Sequence, residues 1–525
     1  MRLNRRHWLQ LALAQSVVGA AAPLAANTGD RITFDATPFR LGVASGHPTT
    51  QSVVLWTRLL ASNPVRYAWK NQTVHVGWQI AQDPDFTQGV LSGDTFAPPE
   101  LSHSVHVEVE GLQPNRVYWY RFVSGNQTSP VGRTRTLPAP DDTTTPLKVG
   151  FASCQRYHSG PFAVYDHMAA DNPDLVVFLG DYIYEMGATQ NEARGSWMYP
   201  ATRIQEYREL YELAKMDPAL QKMHAACPWL VTWDDHEVVN DYAGGDVRLR
   251  GDTGKTAKRM EMGYRTWYEH MPVSPKALLG GTKGLLENTH ELRIYGTYRW
   301  GQTANLHLLD TRQYRSTQAK CGVGGLFKPG SCTDTNTTGR TMLGDAQAQW
   351  VDDQLKANGQ GQPGATRWNV VCQPAVFSQF VIPALGGTLN HDNWDGYPAS
   401  RARILNTIAQ AQTQNPVFVA GDIHQNWVAH VHQDPANLQT PVLAPEFCVS
   451  SVTTPSFGNF TADEMKALAP NCVYADRHRR GYSVAQVTPQ GLTMVVKHVD
   501  LNTGAAQTAA TFQVQASSPQ IRQVG

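Results

Sequence analysis

Four short apolar runs each deliver metal-capable side chains just past their last residue. Leu147-Lys148-Val149-Gly150-Phe151-Ala152-Ser153 leads into Cys154, and Leu175-Val176-Val177-Phe178-Leu179 leads into Gly180-Asp181-Tyr182-Ile183-Tyr184-Glu185. Trp229-Leu230-Val231-Thr232-Trp233 leads into Asp234-Asp235-His236-Glu237, and Pro416-Val417-Phe418-Val419-Ala420-Gly421 into Asp422-Ile423-His424. Runs of this length read as strands, and helix-length stretches lie between them. The strands are therefore expected to be parallel, with all four carboxyl ends at one edge. Open α/β sheets place their ligands there. Gly180 lets the backbone turn sharply, and a phenol three residues past a carboxylate reaches the same point in space. Chance supplies one such strand end as a surface turn, and hardly four. Thiolate, phenolate, carboxylates and imidazoles converging on one patch predict a site for hard cations.

GDYIYE, WDDHE, the Cys of FASCQ and GDIH, in this order, resemble the alkaline phosphatase D type of metallophosphoesterase, a family related to the purple acid phosphatases. The likeness extends to Leu309-Asp310-Thr311-Arg312-Gln313-Tyr314-Arg315, to Met342-Leu343-Gly344 with Trp350, and to Asp392-Asn393-Trp394-Asp395-Gly396-Tyr397-Pro398. It covers roughly residues 38 to 500. The resemblance implies a ferric ion (Fe3+) held by Cys154, Tyr184 and His424, with Asp181 bridging to a second metal. Asp235 and Asp422 complete the second position, and Asn240 is an additional candidate. Cys154 stands where purple acid phosphatases carry an Asp, and Asp422 where they carry a His. The hard carboxylate makes calcium (Ca2+) the expected second ion.

The chemistry implied needs two cations about 3.5–4 Å apart, which acidify a bridging water so that hydroxide attacks phosphorus. Charge on the phosphoryl oxygens is then stabilised electrostatically. Asp181 and His236 are the expected catalytic residues. The His236 imidazole is placed to protonate the leaving oxygen or to hydrogen-bond the phosphoryl group, and proton transfer of that kind is worth about 10²–10⁴-fold. A ferric phenolate also implies visible charge-transfer colour. Asp234 is read as a cap or orienting group, and Glu237 as a hydrogen-bonding support behind the ligands. His430 and His432 alternate along a strand and read as structural. Arg156, Arg312 and Arg315 are candidates to meet phosphate, with ion pairing an equal reading for the last two.

The amino terminus reads as an address. Asn4-Arg5-Arg6-His7-Trp8-Leu9 resembles a twin-arginine export signal, followed by a mildly apolar 9–18 and small residues at 19–26, with cleavage expected near Ala26. That route carries folded, cofactor-loaded protein, and the expected partners are the twin-arginine export machinery and a phosphate mono- or diester substrate. The expected location is periplasmic or secreted. Lys plus Arg equals Asp plus Glu at 44 each, so no broad field draws the chain to nucleic acid, and no nucleic-acid-binding patch is evident. No apolar run of about twenty residues follows the signal, so no transmembrane anchor is expected. The seven cysteines leave one odd, assigned to Cys154. Cys321 with Cys332, Cys448 with Cys472, and Cys227 with Cys372 are candidate disulfides in an oxidising compartment.

The fold class expected is α/β: a metallophosphoesterase-like two-sheet sandwich flanked by helices, preceded by a small antiparallel β-sandwich. Residues 38–138 carry short alternating strands and a Leu112-Gln113-Pro114 corner before Val117-Tyr118-Trp119-Tyr120, as in a fibronectin type III-like sandwich. Residues 138–146 read as a linker, 147–500 as the catalytic domain and 501–525 as a polar tail that frays or adds a strand near 510–514. Helices are expected at 202–226, 344–357 and 399–413, with a crossover helix through Phe162, Tyr165 and Met168. The expected activity is exported, metal-dependent phosphate-ester hydrolysis at alkaline pH, with mono- and diesterase capacity. One alternative is a purple-acid-like monoesterase; another is a cell-surface binding protein with a structural metal site.

Overall fold

The structure, a computed structural model, describes residues 32–525 except 64–67, 190, 196–197, 245–255, 287–291, 322–325, 329, 381–388, 457–460, 462, 465–466 and 468. The export signal expected at 1–26 lies outside the described residues.

Leu147–Ala152, Leu175–Leu179 and Trp229–Thr232 pair in parallel as neighbours at the centre of a ten-stranded sheet. Pro416–Ala420 lies in a second sheet of seven strands, flanked in parallel by Trp368–Cys372 and Val442–Cys448. The apolar runs are unbroken because both faces of each strand are covered. In Leu175–Leu179, Leu175, Val177 and Leu179 pack between the sheets against Leu306, Leu308, Val370 and Val419. Val176 and Phe178 face the other way, onto the helices Val164–Ala170, Ile204–Lys215, Pro218–Ala226 and Thr256–His270. Helices Gly344–Ala357 and Pro398–Ala411 cover the outer face of the second sheet through Val351, Leu355, Ile404 and Ile408. The two-sheet sandwich with flanking helices is thus present.

Several elements differ from expectation for physical reasons. The single helix expected over 202–226 is two, because Asp217 caps a new start, accepting from the Ala219 and Leu220 amides at 2.9 and 3.1 Å, and Pro218 follows it. The tail carries a full strand, Ala506–Gln515, paired along Gly491–Val499, and a short one at Ile521–Gln523. Phe512 and Val514 anchor it in the inter-sheet core. The 138–146 stretch is tied down: Trp300 Nε1 and Thr303 Oγ1 donate to the Pro146 and Thr145 carbonyls.

The amino-terminal strands do not stand apart either. Val43–Gly46, Val53–Arg58 and Ser104–Val109 complete the ten-stranded sheet, with Gly46 opposite Trp229 in parallel register. A Cβ at Gly46 would sit 2.2 Å from the Pro272 carbonyl oxygen, so only glycine fits this approach. Leu91–Ala97, Val74–Ala81, Val117–Ser124 and Gly132–Arg135 form the facing sheet, and the Gln113 amide donates to Tyr118 Oη at 2.8 Å in the corner.

Cys321 and Cys332 are joined by a disulfide. The other two expected pairings do not form. Strand Asn426–His432 lies between the strands bearing Cys448 and Cys472, and two strand spacings are about 9.5 Å, beyond disulfide reach. Cys227 packs in the core beneath the helices and Cys372 in the core between the sheets, so a sheet separates them. No described helix is long and apolar enough to cross a membrane.

Candidate metal centre

The four strand ends meet at one edge. The chain turns there through left-handed backbone at non-glycine residues: φ is 58° at Cys154, 59° at Asp181, 66° at Asp422 and 55° at His424. Such conformations cost about 1–3 kcal/mol each and persist where surrounding contacts dictate them. Gly180, at φ 88°, is obligatory, because a Cβ would lie 2.6 Å from the Asp234 backbone nitrogen.

Donor atoms of Cys154, Asp181 and His424 lie within 4.8 Å of one another, and the same holds for Asp181, Asp235 and His236, and for Asp235, Asp241 and Asp392. Asp181 therefore belongs to two adjacent groups. Tyr184 Oη stands 2.8 Å from Asp181 Oδ2 and 2.9 Å from His424 Nε2. His424 Nδ1 donates to the Pro455 carbonyl at 2.9 Å, which leaves the Nε2 lone pair facing the cluster.

Electrostatics indicates what this cluster is suited to hold. Burial, reinforced by Asp181, pushes both the Cys154 thiol and the Tyr184 phenol well above their usual ranges. Burial and Asp234 push the Asp422 carboxyl up, and burial raises Asp234 to about 8 despite Arg312. Asp181 is pulled down to about 2: burial opposes its charge, but His236 and His424 outweigh it. Asp181 Oδ1 and Asp234 Oδ2 are buried with no hydrogen-bond partner. Orphaned oxygens among acids that resist ionising are the condition a cation relieves. The donor set fits a pair of metal ions.

The supporting residues are equally defined. Glu237 accepts the Tyr182, Asp181 and Asp234 amides at 2.7, 3.2 and 2.9 Å, locking two of the strand-end turns together, as its supporting role required. Asp234 orients Arg312, whose Nε donates to Oδ1 at 2.5 Å. Arg312 and Arg315 do not face open space; both are buried on Asp392, at 2.9 Å each. Arg156 pairs with Glu192. His430 and His432 serve structural roles, meeting the Ile521 amide and the Thr440 carbonyl. Asp422 is absent from the three donor groups. Asn240 is exposed and contributes a backbone N–H, to Glu185 Oε1 at 3.0 Å.

Three acids at the site had no role in the sequence reading. Asp241 and Asp392 complete a donor group with Asp235, and Glu185 Oε2 holds His236 Nδ1 at 2.6 Å. The signals were present: Asp392 opens one of the motifs quoted above, and Glu185 ends the GDYIYE turn. Burial would lower the His236 pKa, but Glu185, Asp235 and Asp181 raise it well above 6.5. Glu185→Gln is therefore expected to lower kcat about 10–100-fold. It should also move the alkaline limb of the pH–rate profile to lower pH, since the group raising His236 is gone. An unmoved limb would show that Glu185 does not orient a proton donor.

A PhoD-like phosphatase family model matches residues 149–496, and its N-terminal domain model matches residues 24–138. The chain is 36% identical over 529 aligned positions to alkaline phosphatase D of Bacillus subtilis (strain 168), covering 98% of this chain and 86% of the relative. Purple acid phosphatase 23 of Arabidopsis thaliana is 26% identical over 150 residues, 26% of this chain and 31% of that protein. A solved structure of PhoD superposes with a TM-score of 0.83 at 34% identity, covering 94% of this chain and 93% of that one. With the matched models spanning both sheets and every strand end of the site, this chain belongs to the PhoD-like phosphatase family and is a phosphoric ester hydrolase.

Proposed function

We propose that the chain is an exported alkaline phosphatase and phosphodiesterase with a ferric–calcium centre. In this reading Cys154, Tyr184 and His424 hold the ferric ion, Asp181 bridges, and Asp235 with Asp422 holds calcium. The observation that carries it is the approach of Cys154, Asp181 and His424 donor atoms to within 4.8 Å of one another, with one Asp181 oxygen buried and unpartnered. Thiol and imidazole on one side suit iron, and oxygen donors on the other suit calcium. Bound there, the cations would supply the charge that acidifies water and neutralises phosphoryl oxygens.

The protein's own groups do the rest. His236 is fixed through Nδ1 by Glu185, with its ring centroid 4.2 Å from that of Tyr184 and tilted 35° to it, which leaves Nε2 to donate its proton to the leaving oxygen. Glu237 holds the turns rigid, so the donors need no rearrangement as charge develops. Arg312 and Arg315 neutralise Asp234 and Asp392 and leave phosphate to the cations. The paired Arg5 and Arg6 support export of the folded, loaded protein.

Kinetics on matched chromogenic mono- and diesters, with elemental analysis and visible spectra of the same native-host sample, tests the reading. Iron with calcium, colour and diester turnover is the expected result. Iron with a transition metal and monoester turnover alone would replace it with a purple-acid-like enzyme. Absence of hydrolysis by metal-replete protein would sink both.

A further inference from the structure

Arg480 opens the strand Arg480–Val487 of the first sheet and is 9% exposed, yet among the described residues its guanidinium meets no carboxylate. Nη1 donates to the His424 carbonyl at 2.8 Å, the Ser451 hydroxyl at 2.7 Å and the Thr454 carbonyl at 2.5 Å, and Nη2 donates to the Arg477 carbonyl. A buried guanidinium satisfied by three backbone carbonyls and one hydroxyl concentrates a full charge on whatever it grips.

What it grips is the seam between the sheets. Ser451 bridges Ser153 in parallel, Val452 N donates to the Ser153 carbonyl at 2.9 Å, and Thr454 Oγ1 donates to the Cys154 carbonyl at 2.7 Å. The same segment accepts His424 Nδ1–H at the Pro455 carbonyl. The Gly481 amide, next to Arg480, donates to the Ser451 carbonyl at 3.0 Å. Cys154 leaves the first sheet and His424 the second, so residues 451–455 are their shared support.

We infer that Arg480 is a positioning residue of the hydrolytic centre. It clamps residues 451–455 so that Cys154 from one sheet and His424 from the other keep the separation at which both face one ion. The inference rests on the metal reading above, but its structural part can be read without metal.

The experiment uses full-length protein carrying Arg480→Gln, Arg480→Lys or the milder Ser451→Ala. Amide exchange in residues 152–156 and 422–426 should rise together in all three, while strand Gly491–Val499 keeps its protection. In Arg480→Gln, metal retention and kcat should fall about 10–100-fold with KM little changed, and the visible band should move. Arg480→Lys should not restore the exchange protection, because an ammonium cannot reproduce the planar fork that reaches all four acceptors. If Arg480→Gln fails to fold, Ser451→Ala decides by the same criteria. Wild-type exchange in both segments, or loss of protection spread evenly over the sheet, overturns the clamp. A wild-type protein without iron or colour would remove the ferric–calcium reading, and the exchange pattern would still decide the clamp.

Discussion

Asp181→Asn is expected to lower kcat on a chromogenic phosphate ester by more than about a thousand-fold while the protein stays folded. The size follows from geometry. Asp181 is the residue common to the Cys154–His424 and Asp235–His236 donor groups, so no other carboxylate joins the two ion positions in the same way. An amide offers one neutral oxygen and an NH2 that cannot ligate, so both positions lose affinity together. The fold should tolerate the change, because φ is 59° at Asp181 and Asn is among the few residues that accept left-handed backbone. The Asp181 amide keeps its bond to Glu237. Kinetics, metal content and circular dichroism on one preparation check this, and activity within tenfold of wild type would mean the centre lies elsewhere.

Arg312→Ala is expected to cost about 3–5 kcal/mol of stability. The Arg312 side chain is wholly buried between Asp234 at 2.5 Å and Asp392 at 2.9 Å, with Asp235 at 3.6 Å. Its removal leaves acids in the interior with their main counter-charge gone. The surface pair Arg203–Glu206, whose arginine side chain is 79% exposed, provides the contrast; Arg203→Ala should cost less than about 1 kcal/mol. Combining Arg312→Ala with Asp392→Asn should recover part of the loss, and the double-mutant cycle measures that coupling. Denaturant midpoints for the wild type, the two single variants and double variant of the cycle, and Arg203→Ala give the answer. Equal costs for the buried and surface arginines would show that Arg312 is not the counter-ion of this cluster.

The parts of the site legible in the sequence were those encoded locally. A strand buried on both faces is an unbroken apolar run, and the residue that ends it inherits a fixed place at the sheet edge; Cys154, Asp181, Asp235 and His424 all follow that rule. Glu185, Asp241 and Asp392 escaped because their roles depend on partners far away in the chain. Glu185 matters only once His236 is beside it, and Asp392 is 80 residues from Arg312. Arg480 was invisible for a further reason: nearly all its acceptors are backbone carbonyls, which carry no residue signature. The same holds for the sheet. Alternation made strands Val53–Arg58, Val74–Ala81, Ser104–Val109 and Val117–Ser124 readable but not Val43–Gly46, Leu91–Ala97 or Gly132–Arg135, and the parallel register of Gly46 with Trp229 is a pairing across more than 180 positions, which no local pattern contains. Nor did local pattern reveal helix Thr256–His270, whose Tyr264 and Trp267 pack on Trp233.

That shared register bears on how this architecture can be cut. Trimming the chain ahead of Leu147 would strip the neighbour of strand Trp229–Thr232 that pairs at Trp229, leaving a raw sheet edge on the strand that leads to Asp235. A raw edge of that kind recruits other chains. It would also leave Glu212 and His270 without the Arg58 guanidinium that now meets both, at 2.7 Å each. A trimmed hydrolase would be expected to precipitate before it could be assayed, which makes strands Val43–Gly46, Val53–Arg58 and Ser104–Val109 scaffolding for catalysis rather than a detachable accessory.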